Sequence, residues 1–382
     1  MINYKNPIYS EKIGADFIVW FRASNNYIIL NELLMKVYSI FIKSSSLSSF
    51  LTEVNQDLEL DYTAQKATDL YQNFTEFIKD QNLKGPLEKT IEVNFSDSRR
   101  AFNETYSIEK HIVLIHYSSE YTKGLIHPKL MHLICNIKTK NKPTTVFDIY
   151  EEDNNLYLFK DEIFIGTYEL FNSHLLQGRF AMEFLCVLHN KEEHDWLGTF
   201  HASTVSNGKE AIMLIGDSGN GKSTFSALLM ASGLDLMADD ITPVLAADKQ
   251  VYKYPSAISI KQGAFEMLNE YYPGFELLPK FKGSAKKGLL KYIAPKQNGT
   301  DESKKLPCSK IVYIKYDKEQ DTTLSQSAAD KVLRTLIPDS WISPKEENAK
   351  QFLNWLQDMS YYELKYSDNE LAVSEFKKLF DA

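Results

Sequence analysis

"AIMLIGDSGNGKSTFSALLMASGLDLMADD", Ala211 to Asp240, decides how this chain is read. Within it, Gly216-Asp217-Ser218-Gly219-Asn220-Gly221-Lys222-Ser223 fills G-x-x-x-x-G-K-[ST] in full. An apolar strand-like run, AIMLI, precedes it, and a helix-like run, STFSALLMAS, follows. Glycines let the backbone curl until successive N–H groups face phosphates, and the helix N-terminus adds positive potential. In such a cradle Lys222 reaches the β- and γ-phosphates and the Ser223 hydroxyl ligates magnesium. The expected Mg-ATP site therefore covers Gly216 through Ser223 and the next residue, Thr224.

The cradle helix is expected to end near Ser232, with Gly233 as its left-handed cap. LDLMA then reads as a short strand carrying Asp239 and Asp240 at its carboxyl end, the edge where open α/β sheets bind ligands. One carboxylate on magnesium is the usual requirement of this nucleotide fold. Adjacent side chains on an extended segment point to opposite sides. The pair is thus expected to divide, one carboxylate to the metal and the other to an acceptor hydroxyl. The plainer alternative for Asp240 is a cap on the turn ITP.

Outward from the cradle, strands and helices alternate from Leu197 to the end, as in an α/β domain. VYKYPSAISI and KIVYIKY read as its next strands, and PSAIS either shapes the pocket or turns the chain. Residues 272–310, with glycines and prolines among many lysines, read as a mobile loop. Lys261, Lys286 and Lys287 are candidates for extra cations beside Lys222. HLLQGRFAMEFLCVLHN is a helix with Leu175, Leu176, Phe180, Phe184, Leu185 and Leu188 on its apolar side, and NKEEHD reads as a solvated loop. HIVLIHY, LMHLICNI, TTVFDIY, NLYLF and EIFIGTYEL read as strands, and polar residues 86–105 as a linker.

Near the N-terminus, FIVWFR and YIIL read as strands flanking Ser24-Asn25-Asn26. Three helices follow, with Asn31 as N-cap of the first and Ala67, Leu70, Phe74, Phe77 and Ile78 on one stripe of the third. The whole suggests a small winged-helix-like module, with a helical cap on a larger domain as the alternative.

Composition bounds the rest. The 382 residues, 43% hydrophobic and 25% charged, are ordinary for a globular chain of two or three domains. A net charge of −8 speaks against a general nucleic-acid binder. No run of about 18 apolar residues offers a membrane span. The N-terminus has no apolar signal core. Cys135, Cys186 and Cys308 fit neither a disulfide framework nor a zinc site, so a cytoplasmic protein is expected.

Two resemblances add to this reading. HASTV together with the cradle and ADD is similar to the HPr kinase/phosphorylase family and its related serine kinases, over about residues 195–270. YPSAISIKQGAF also resembles an extension of these kinases. The resemblance implies that His201, ahead of the cradle, is catalytic. It also implies that Asp239 is the general base (and the acid in any reverse reaction), with Asp240 near magnesium. Two departures move the chain toward the related kinases, some of which act on peptides or small molecules. Thr224 stands where the HPr enzymes commonly have glutamate, and their downstream glycine-rich signature is absent. Residues 10–83 resemble the PqqD-like family, whose members bind leader peptides by adding them as a strand to a small sheet.

The expected fold is therefore α/β: residues 197–382 a P-loop kinase domain of the HPr kinase type, preceded by residues 86–196, a linker and small, β-containing mixed α/β region, and by residues 1–85, a winged-helix-like, PqqD-like peptide-binding domain. The expected activity is Mg-ATP-dependent phosphorylation of a hydroxyl, of the serine type, on a ribosomally made peptide or protein. Its partner would be that substrate, captured through a leader peptide on residues 1–85, with self-association left open. Alternatives are a kinase for free serine or another small alcohol, and a peptide chaperone that uses nucleotide without phosphotransfer.

Overall fold

A computed structural model describes residues 9–58, 63–83, 93–135, 142–283, 288–296 and 304–381. Among the described residues the fold is mixed α/β, with several sheets. Its central sheet has the strand order Asp235–Ala238, Ser203–Ser206, Ala211–Ile215, Cys308–Tyr316, Ser360–Tyr366, Thr323–Gln326. The cradle strand Ala211–Ile215 runs parallel to Cys308–Tyr316, which runs parallel to Ser360–Tyr366. On its other side Ser203–Ser206 is antiparallel both to the cradle strand and to Asp235–Ala238. Two antiparallel steps restore the direction. The carboxyl ends of the cradle strand and of the strand before the aspartates thus meet at one edge, where Ser203 begins its own strand.

AIMLI is buried at every position, because both faces of the sheet are covered. Ile212 and Leu214 pack with Phe225, Leu228 and Leu229 of the cradle helix Lys222–Ala231. Met213 and Ile215 face the other way, toward Leu333, Leu336 and Phe352. The helix is capped at Ser232, and Gly233 follows with φ of 102°, as the sequence implies.

The front region has three antiparallel strands, Tyr9–Ile13, Asp16–Phe21 and Asn26–Leu30, then helices Glu32–Lys43, Leu47–Asp57 and Ala64–Asn82. Asn31 caps the first helix, accepting from the Leu34 N–H. The sheet is covered on both faces, which accounts for the unbroken apolar run in DFIVWF. Val19 and Phe21 meet the three helices, whereas Ile13 and Ile18 join the core around Phe352. Polar contacts follow the same seam. Asn25 Nδ2 donates to the Ile342 carbonyl at 2.7 Å, and Gln357 Nε2 donates to that of Lys12 at 3.2 Å. Tyr9–Ile13 escapes sequence reading because its outward residues, in YSEKI, are polar. Phe77 lies off the stripe assigned to it and is 37% exposed.

Between residues 102 and 169 lies a five-stranded sheet in chain order: Phe102–Ile108, His111–Tyr117, Thr145–Glu152, Asn155–Lys160 and Ile163–Glu169. Three expectations are corrected here. The stretch read as a linker already contains the strand from Phe102, which pairs along its whole length with His111–Tyr117. LMHLICNI, where it is described (130–135), is no strand: helix Glu120–Leu130 runs into a 3-10 turn, Met131–Leu133, with a single bridge at Ile134. A capping box between Ser119 and Thr122 starts that helix, and Ile126, Leu130 and Leu133 recur at helical spacing and are all buried. Leu175 is 39% exposed, while the rest of the assigned face of helix Ser173–His189 is buried.

Near the C-terminal side, VYKYPSAISI is two strands, Val251–Tyr252 and Ile258–Lys261, separated around Pro255. The expected loop of residues 272–310 holds strands where it is described. Leu289–Ile293 pairs with Ile258–Lys261, and Lys305–Leu306 with Val251–Tyr252. No helix among the described residues is long and apolar enough to cross a membrane.

Candidate active site

Curling of the cradle begins at Gly216, where the chain leaves its strand. A Cβ there would lie 2.7 Å from the Ile314 carbonyl oxygen of the neighbouring strand. Backbone cannot swing aside as a side chain can, so Gly216→Ala is expected to force the two strands apart. The expected cost is about 1–3 kcal/mol, typical of overpacking, read as a lowered Tm together with weaker Mg-ATP binding. An unchanged Tm and affinity would show that the close approach is not needed. Gly221 ends the loop with φ of 86°, a left-handed conformation that places it as N-cap of the cradle helix.

Asp217, Ser218 and Gly219 are exposed at the mouth of the loop. Tyr313 Oη donates to Asp217 Oδ2 at 2.7 Å, and Asn220 Nδ2 donates to Tyr313 Oη at 3.1 Å. The loop is also tied to the next strand by the Tyr316 N–H, which donates to the Asn220 carbonyl at 3.2 Å. These bonds tie the loop to the neighbouring strand, and within it the Asn220 N–H donates to the Asp217 carbonyl at 3.0 Å.

Lys222 is buried, and its Nζ donates to the His201 carbonyl at 3.0 Å. Burial pushes this ammonium below its usual value, against the pull of Asp240, Asp239 and Asp339. Ser223 and Thr224 are half-buried on the first turn. Ser223 Oγ donates to Asp239 Oδ1 at 3.2 Å. The Ser203 hydroxyl donates to the same oxygen. Asp239 is 1% exposed, and its Oδ2 is buried with no hydrogen-bond partner among the described residues. Burial first, then the charge of Asp240, raises its carboxyl above the usual range, opposed by Ser203, Lys222 and Lys129. The PSAIS segment backs this residue, since Ser256 Oγ donates to the Asp239 carbonyl at 3.3 Å.

Asp240 is not in extended backbone. Its φ is 71°, so the neighbouring carboxylates do not simply alternate sides. Its Oδ1 lies 3.2 Å from His201 Nδ1, and its Oδ2 accepts from Lys129 Nζ at 2.8 Å. The pair therefore separates into a closed carboxylate on the cradle serine and a more open one between two basic side chains.

A magnesium ion fits this arrangement. No cluster of three or more His, Cys, Asp or Glu that could hold a metal exists among the described residues. Magnesium in nucleotide sites takes few protein ligands and completes its shell with phosphates and water. Ser223 and Asp239, with its orphaned buried oxygen, offer that small donor set.

No protein-family model matches the chain. No curated protein matches it either. Among solved structures it is similar to the Hpr(Ser) kinase/phosphatase from Coxiella burnetii, at 10% identity over 47% of this chain and 88% of that one, with a TM-score of 0.21.

The structure gathers the cradle, His201, Asp239 and Asp240 at one sheet edge. Lys261 is exposed at its strand end, and Lys286 and Lys287 lie outside the described residues. Two residues of the site escaped sequence reading. Ser203 sits in the quoted HASTV and could have been found by pairing its strand against the cradle strand. Lys129 carries no local signal at all: 111 residues separate it from Asp240.

Proposed function

We propose that the protein is a Mg-ATP-dependent kinase that phosphorylates an alcohol hydroxyl. The observation that carries this reading is the Ser223–Asp239 hydrogen bond with Asp240 and His201 beside it. A passive phosphate binder needs the first carboxylate but not the second. In this reading the cradle amides and Lys222 hold the β- and γ-phosphates, and Ser223 and Asp239 hold magnesium. When bound, the metal neutralises charge on the phosphate oxygens.

Asp240 takes the proton of the acceptor hydroxyl as its oxygen bonds to the γ-phosphorus. The bond from that phosphorus to the β-phosphate oxygen breaks, and ADP leaves. This exchanges the roles that the sequence resemblance implied for the two aspartates. Supporting the exchange are the closed setting of Asp239 against the cradle serine and the more exposed setting of Asp240. His201, within reach of Asp240 Oδ1, would orient that carboxylate.

The acceptor we propose is a serine-type hydroxyl of a ribosomally made peptide, with residues 1–85 binding its leader. Of the strands there, Asp16–Phe21 is central and has no free edge, and Tyr9–Ile13 lies against helix Glu346–Gln357. Asn26–Leu30 is paired on one side only among the described residues, and strand addition would use its outer edge. The test incubates the full chain with Mg-ATP and a panel of leader-bearing peptides, free serine and other small alcohols, and follows intact mass. A phosphate gained by a peptide, with ADP formed, is the expected result. Gain by free serine alone would remove the peptide, and ADP formation without any acceptor gain would remove the transferase.

A further inference from the structure

Phosphoryl transfer spreads negative charge over the oxygens of the moving group, and the cradle motif supplies a single ammonium, Lys222, to meet it. The structure brings a second ammonium to the same edge from a distant part of the chain. We propose that Lys129 is a catalytic cation that binds the γ-phosphoryl group together with Lys222. This inference rests on the Mg-ATP reading above.

Lys129 stands on the last turn of helix Glu120–Leu130, outside the cradle region altogether. Its seat is fixed from two sides. The Ala257 N–H donates to the Lys129 carbonyl at 2.9 Å, and the Tyr254 N–H, on the same connecting segment, donates to the Met237 carbonyl at 2.8 Å. Met237 belongs to the strand that delivers the aspartates, so one short segment ties the lysine's backbone to that strand. The side chain then reaches Asp240 Oδ2 at 2.8 Å.

Around Asp240 the basic side chains converge. His201 Nδ1 is 3.2 Å from Oδ1, and the His201 carbonyl holds Lys222 Nζ at 3.0 Å. Burial works against the Lys129 ammonium, but the charge and hydrogen bond of Asp240 outweigh it and keep the group protonated. An ammonium has three donors, and Asp240 takes one of those on Lys129. The pair is not sealed in a core: the Lys129 and Asp240 side chains are 26% and 29% exposed. The remaining donors can therefore meet phosphate oxygens at the end of the site where Lys222 points.

The test compares Mg-ATP with Mg-ADP by titration calorimetry on the full chain, because only ATP carries the γ-phosphate. Wild type is expected to prefer ATP. Lys129→Met should lose about tenfold in ATP affinity, the scale of one charge-assisted hydrogen bond, while ADP affinity stays within about twofold. Lys129→Arg should restore most of the ATP preference. Should Lys129→Met fail to fold because Asp240 loses its ammonium partner, Lys129→Met in an Asp240→Asn background, set against Asp240→Asn alone, makes the same comparison. An unchanged ATP-to-ADP ratio on loss of the lysine overturns the proposal while leaving the cradle intact. Failure of the cradle reading looks different and takes this inference with it: wild type binds neither nucleotide, or Lys222→Ala binds both as well as wild type.

Discussion

Replacing Lys222 by alanine is expected to lower Mg-ATP affinity or turnover by roughly a hundredfold to a thousandfold, the range found when one preorganised charge-stabilising group is removed. The side chain begins the cradle helix, is 9% exposed, and is oriented by the His201 carbonyl. Its charge is held there at a cost, since burial depresses its proton affinity. In the proposed function, a bound phosphate chain would offset that cost by supplying the negative partner. None of the apolar clusters that hold the sheet contains Lys222, so folding should survive its truncation. Calorimetric titration with Mg-ATP and a thermal melt together check this. A folded variant that binds and turns over ATP like wild type would remove the cradle from the account.

The second large effect concerns the aspartates, which are expected to fail in different ways. Asp240→Asn keeps the size of the side chain and most of its hydrogen bonding but cannot accept a proton at neutral pH. Transfer should fall by roughly a hundredfold or more, the usual range for loss of a general base, with ATP affinity held within a few-fold. Asp239→Asn instead alters the carboxylate bonded to Ser203 and Ser223. The expected loss there is in magnesium-dependent binding, roughly tenfold to a hundredfold, as for other groups that support a metal site.

Much of the site was legible because its parts are local. The glycine and lysine spacing, the apolar strand before it and the Gly233 cap are all set within thirty or so consecutive residues. The edge position of Asp239 and Asp240 follows from one short strand. Their separation into a closed and a more open carboxylate was not legible, because it depends on Asp240 turning left-handed and on partners from elsewhere. Ser203 reaches Asp239 only through antiparallel pairing of its strand, and Lys129 reaches Asp240 only through the packing of a different region.

The same contrast runs through the fold. Asn31 is readable as a cap from its neighbours alone. Helix Glu120–Leu130 was missed because it contains Gly124 and Pro128, both poor helix formers, so that the apolar run after it dominated the reading. DFIVWF could be read as a strand, but not as a strand covered by the cradle region on one side and by its own helices on the other.

The central claim is that two adjacent carboxylates serve one transfer reaction in different capacities. Its most direct test measures Mg-ATP affinity and acceptor phosphorylation side by side for wild type, Asp239→Asn and Asp240→Asn. The account predicts that Asp240→Asn binds Mg-ATP nearly as wild type and barely phosphorylates, while Asp239→Asn loses magnesium-dependent binding. Undiminished transfer by Asp240→Asn would contradict it.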